Sequence, residues 1–240
     1  MPDFLSALHQ WQAEPLGRAL IQAEAQLLAN TFDDVFGLEL LQLGSWGVGR
    51  ELLAPCRIRR QSVVAEVAAV PAGGDLVANL AHLPITSGAV DAVLLPHTLE
   101  YAPDPYAVLR EADRALGAEG QLIVLGFRPA SLWGLRSAAS RSGFPPGLRR
   151  TLSVSRVRDW LGLLSYEMVS LRPYLYRLPR PPRESADSAI SSVLRRGWFY
   201  PWPAAAYVIK ARKRVYTLTP IRPRVRERLR VLGGLAEPST

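Results

Sequence analysis

Cysteine is almost missing from this chain. Cys56 stands alone, so there is no disulfide framework and no cysteine-based metal site. Lysine is nearly as scarce. Lys210 and Lys213 are the only two, which leaves 27 of the 29 basic residues as arginine. No apolar run approaches the roughly 20 residues that cross a bilayer. The N-terminus carries no basic stretch followed by an apolar core, so it does not read as a secretory signal. A cytoplasmic location is the resulting expectation.

Apolar residues make up 48% of the 240, enough for a true core. The charge is split along the chain. Residues 1–120 carry 7 basic and 15 acidic side chains, while 121–240 carry 22 and 6. Such a split points to a basic face for an anionic partner, whether nucleic acid, acyl carrier or phospholipid head groups, against a plain solvated Arg-rich surface.

The chain is organised around Leu40 to Leu53. An apolar run ending at Leu43 reads as a buried strand. Gly44, Gly47 and Gly49 follow, and a helix-like pattern opens near Arg50. Glycines let a backbone turn sharply and approach a ligand closely. Strand, glycine turn and helix make a cofactor cradle in open α/β sheets, although a glycine cluster alone is a weak signal.

Before this stretch, 4–11 and 16–30 have helical spacing. Leu16, Ala19, Leu20, Ala23, Leu27 and Leu28 share the second helix's apolar face, with Glu24 and Gln26 assigned off it. After it, Ser62 to Glu66 reads as a strand ending in an acid, 17 residues past Gly49. About 20 is the spacing expected of a ribose-binding carboxylate. Strands follow at 76–78, 90–95 and 121–126, with a helix from about 105 to 116 that Asp104 and Pro105 open. This alternation indicates a mainly parallel sheet covered on both faces. Residues 128–150 read as loop-rich and basic, 153–164 as a helix, and 166–176 and 204–211 as strands. A Pro/Arg-rich loop is expected at 177–203 and a basic tail at 216–240.

The run Leu83-Pro84-Ile85, Asp91 to Leu94, His97-Thr98-Leu99-Glu100-Tyr101-Ala102-Pro103-Asp104-Pro105, Arg110-Glu111-Ala112 and Leu116 to Gly120 resembles the class I S-adenosylmethionine-dependent methyltransferases. The likeness is to the type 11 small-molecule group, typified by quinone and acyl-carrier methyltransferases. It covers roughly 38–127, and more loosely the chain up to 214. It implies a Rossmann-like α/β fold with a seven-stranded, mostly parallel sheet and an antiparallel last strand. The domain would span 37–215 behind an N-terminal helical segment, 1–36. It also implies S-adenosylmethionine as cofactor and a small-molecule acceptor.

Carried over by position, Gly44, Ser45 and Gly47 would meet the methionine part of the cofactor. Glu66 would bind the ribose hydroxyls, Asn79 and Leu80 would flank the adenine, and Pro96 and His97 would lie where methyl and acceptor meet. The signature departs from the family at Gln42, which replaces an aspartate, in one extra loop residue, and at Trp46, in a turn otherwise built from small residues. His97, Glu100 and Tyr101 are base candidates by position. Methyl transfer from a sulfonium needs a base only if the acceptor must lose a proton, so the sequence names no catalytic residue. A degenerate relative acting as a cofactor-sensing or interaction module, and an RNA methyltransferase using the basic third, stay open beside the active enzyme.

Overall fold

The computed structural model describes residues 3–47, 50–66, 74–176, 178–179 and 203–214. The expected loop at 177–203, apart from residues 178, 179 and 203, and the tail at 216–240 lie outside the described residues. Two helices lead, α1 (Asp3–Ala13) and α2 (Pro15–Phe32). Strands β1 (Glu39–Leu43), β2 (Arg60–Ala65), β3 (Leu76–Val77) and β4 (Val90–Pro96) follow, then the short α3 (Thr98–Tyr101) and α4 (Pro105–Ala115). The chain continues through β5 (Leu116–Phe127), α5 (Leu132–Ala139), α6 (Val154–Leu163), β6 (Tyr166–Tyr174) and β7 (Ala206–Lys213).

The strands form one seven-stranded sheet in the order β3-β2-β1-β4-β5-β7-β6. The first five strands of that order pair in parallel, and β7 runs antiparallel to both β5 and β6. Period-two alternation splits the core into two layers. On one face Leu40, Leu94, Ile123, Leu125 and Phe127 pack with Leu8 and Trp11 of α1, Leu20 and Leu28 of α2, and Trp133 of α5. On the other, Leu41, Leu43, Val93, Leu95, Leu122 and Val124 pack with Leu109 and Ala112 of α4 and Val157 and Leu161 of α6. Complete burial of one such leucine stabilises the fold by about 1.5–3 kcal/mol.

Helix starts follow local chemistry. Asp104 accepts from the amides of Tyr106 and Ala107 at α4, with Pro105 in the first turn. Ser153 caps α6 through the Arg156 amide.

One expectation is corrected. Among the described residues no α-helix directly follows the glycine turn. Residues 50–55 make a single turn, with Ala54 N bonding to Arg50 O, because Pro55 has no N–H and disfavours helical backbone at Ala54. Within the loop-rich segment 128–150, Ser131 caps α5 by accepting from the Gly134 amide. Lys210 lies in the last strand, as expected of 204–211. It is buried in β7, where its ammonium donates to Thr31 O and pairs with Asp34, tying the strand to the end of α2.

Candidate cofactor site

The carboxyl ends of β1, β2 and β4 open onto a cleft lined by Gly44, Ser45, Glu66, Leu80, Pro96 and Tyr101. Gly44 is required there twice over. Its φ of 94° suits glycine, and a Cβ would sit 2.9 Å from Thr98 Oγ1. Thr98 donates that hydroxyl to Leu43 O, clamping the end of β1 to the turn after β4. Leu80 supplies an apolar wall. Glu66 is half-buried at the end of β2 and has no side-chain partner among the described residues. The hydroxyls of Ser45 and Tyr101 are also buried without a partner.

Five of the eight residues expected at the cofactor, namely Gly44, Ser45, Glu66, Leu80 and Pro96, therefore share one cleft. Gly47, Asn79 and His97 do not line it. Asn79 is exposed, and its carbonyl accepts from the Ala81 amide at 2.9 Å, so its free end is the amide nitrogen. Sequence reasoning missed Leu5 and Leu8. Both project from α1 into the cleft and leave it a volume of about 40 Å³, room for a few waters rather than the roughly 300–1,000 Å³ of a ligand pocket.

Gln42 is spent on the turn itself. Its Nε2 donates to Gly44 O and Trp46 O, both at 3.1 Å, while its Oε1 is buried with no partner. The amide stitches together the longer loop that seats Trp46. That indole is buried, donates through Nε1 to Glu24 Oε2 at 2.7 Å, and packs 4.5 Å from the His97 ring and 6.0 Å from those of Trp11 and Tyr101.

Behind Trp46 lies a buried charged network. His97 is fully buried, with Nε2 2.9 Å from Glu24 Oε1 and Nδ1 2.9 Å from Glu100 Oε2. Tyr174 donates to Glu24 Oε1 at 2.8 Å, and the Phe127 amide donates to Glu100 Oε1 at 2.6 Å. Both ring nitrogens face carboxylate oxygens, and an imidazolium satisfies both. Burial alone would lower the pKa of His97, but Glu24 and Glu100 outweigh it and raise it to about 9. Burial lifts Glu100, opposed by His97 and the Phe127 and Leu152 amides. Burial, then the charges of Glu100 and Glu24, push Tyr101 well above its usual range, so at neutral pH it is a hydroxyl and not a phenolate. Of the three base candidates, His97 and Glu100 are turned into the core and only Tyr101 reaches the cleft.

Glu24 is a further correction. Assigned to the polar side of α2, it is fully buried. The signal was present, because Glu24 is four residues from both Leu20 and Leu28 and so lies within their stripe.

An open sheet with one antiparallel strand, and a cleft at a glycine turn, define a methyltransferase-type α/β domain. A methyltransferase domain model matches residues 54–124. The uncharacterized protein YafS of Escherichia coli K12 is 32% identical over 176 residues, covering 70% of this chain and 69% of that protein. An uncharacterized protein of Mycobacterium tuberculosis H37Rv is 28% identical over 193 residues, 77% of this chain and 66% of that one. A crystal structure of an S-adenosylmethionine-dependent methyltransferase from Thermotoga maritima superposes with a TM-score of 0.65 at 20% identity, over 89% of this chain and 98% of that one. The chain belongs to the class I S-adenosylmethionine-dependent methyltransferases.

Proposed function

We propose that this protein transfers the methyl group of S-adenosylmethionine to a small-molecule acceptor, with the cofactor lying along the cleft between Gly44 and Leu80. The observation that carries the reading is the polar complement of the cleft. A half-buried Glu66 and the hydroxyls of Ser45 and Tyr101, all three without a side-chain partner among the described residues, line walls that are otherwise mostly apolar. Glu66 would accept from both ribose hydroxyls, Leu80 would flank the adenine, and the Gly44–Ser45 turn would approach the methionine end. The cofactor supplies the electrophilic methyl, and in-line transfer needs mainly alignment of donor and acceptor. The cleft as folded is too small for the cofactor, so binding requires Leu5 and Leu8 of α1 to withdraw.

Calorimetric titration with S-adenosylhomocysteine tests this. Glu66→Gln removes a charged acceptor, at about 1.5–3 kcal/mol for a charge-assisted hydrogen bond, or about 10- to 150-fold in Kd. Binding by the wild type with such a loss in the variant is the expected result. Equal affinity for the two proteins, or no binding at millimolar ligand, contradicts the assignment.

A further inference from the structure

A second cavity lies beyond the carboxyl end of β5, between α5 and the loop that follows it. Its volume is about 750 Å³, within the range of a small-ligand site. Ser137, Ser140, Arg141, Ser142, Arg149 and Arg150 line it, and among the described residues no carboxylate does. The surrounding sequence is equally one-sided: between Glu119 and Asp159 stand seven arginines and no acid.

The arginines here are not equally committed. Arg136 lies 3.8 Å over the Phe144 ring and donates to Pro179 O. Arg150 donates to Pro103 O at 3.0 Å. Arg141 and Arg149 have no side-chain partner among the described residues, and both are exposed. Two guanidinium forks unpaired among the described residues, the remaining N–H groups of a third and adjacent serine hydroxyls form a donor set with no counter-ion among those residues. Guanidinium forks match phosphate oxygens in bidentate geometry. A monocarboxylate would occupy one fork, whereas a phosphate dianion can occupy two.

The cavity also adjoins the cofactor cleft. Arg149 N donates to Glu100 O at 3.3 Å, and Arg150 is anchored on Pro103. Between those points, Tyr101 and Ala102 line the cleft. One wall thus separates the two spaces, both at the end of the sheet where open α/β folds bind ligands.

We propose that this arginine cavity anchors the methyl acceptor and that the acceptor is a phosphorylated small molecule. Its role as an acceptor site rests on the methyltransferase reading above; the anion site itself does not.

The test is calorimetric titration of the full chain with inorganic pyrophosphate at low, fixed ionic strength, with S-adenosylhomocysteine titrated in parallel. The proteins are the wild type, R141Q/R149Q, and R156Q/R158Q, which alters α6 arginines outside the cavity. Saturable binding weakened at least ten-fold in R141Q/R149Q, unchanged in R156Q/R158Q, and with equal S-adenosylhomocysteine affinity in all three, is the expected result. Equal loss in both variants, or tighter binding of a single-stranded RNA that both variants weaken alike, would mean diffuse charge and overturn the site. S-adenosylhomocysteine binding without pyrophosphate binding overturns it too and leaves the methyltransferase reading intact. Pyrophosphate binding without any S-adenosylhomocysteine binding removes the acceptor role.

Discussion

Replacing His97 should remove most of the pH dependence of stability between pH 6.5 and 9. The imidazole has Glu24 on one nitrogen and Glu100 on the other, both within 2.9 Å, with Tyr174 and Trp46 completing the bonds to Glu24. Its pKa stands near 9 in the fold against 6.5 for a free histidine. At 1.36 kcal/mol per pH unit, that difference is about 3 kcal/mol. The folded protein keeps a proton that the unfolded chain releases near pH 6.5. The stabilisation is therefore complete below about 6.5 and is lost as pH rises through about 9. Glu100, raised by burial and opposed by His97, acts with the same sign, its contribution lost as pH rises above the ordinary carboxylate range. His9, lowered by burial, acts with the opposite sign below pH 6.5, and Cys56, raised by burial, acts above the window. Both are present in wild type and variant alike, so they cancel in the difference.

Asparagine is the informative replacement. His97 has a left-handed backbone, φ 56°, which asparagine tolerates better than most residues. Urea unfolding at constant ionic strength, followed by tryptophan fluorescence, should show wild-type stability falling by about 3 kcal/mol between pH 6.5 and 9.5. In melting temperature this is about 6–12 °C for a chain of this size. His97→Asn should start lower, by about 3–5 kcal/mol for an unpaired buried charge, and run nearly flat. An unchanged slope in the variant would place the titrating group elsewhere. A flat wild type would mean that the imidazole is neutral in the fold.

Two other substitutions probe the cleft. Leu8→Ala trims the side chain that closes it and should cost about 2–5 kcal/mol of stability, while speeding S-adenosylhomocysteine association in stopped-flow fluorescence because the competent state becomes more populated; an unchanged or slower association rate would refute α1 as the barrier. Gln42→Asp, which restores the family's usual residue, should weaken rather than strengthen S-adenosylhomocysteine binding and cost about 2–4 kcal/mol on urea unfolding, because it removes both bonds to Gly44 O and Trp46 O and leaves a buried carboxylate facing carbonyls; tighter calorimetric binding would refute that account.

The sheet was legible because its strands carry near-continuous apolar runs between turn residues, a pattern that doubly covered parallel strands impose on sequence. Asp104-Pro105 likewise announced α4. What stayed hidden required information from elsewhere in the chain. A glycine turn suggests a helix behind it, yet Pro55 ended that helix after one turn. Glu24 read as solvent-facing because it is charged, although its spacing placed it among Leu20 and Leu28. No local pattern says that a carboxylate on α2 will meet a histidine 73 residues on. The same residue explains the loop. With Glu24 buried, an N–H donor is needed close to β1, and Trp46 provides it from within the glycine turn. Gln42 then has two carbonyls to hold, where an aspartate would have none to receive. The departures from the family signature are thus one connected adaptation: Glu24, Gln42, Trp46 and His97 form a single hydrogen-bonded and stacked unit. Substitution of any one should be read against the other three and not as the loss of an isolated cofactor contact.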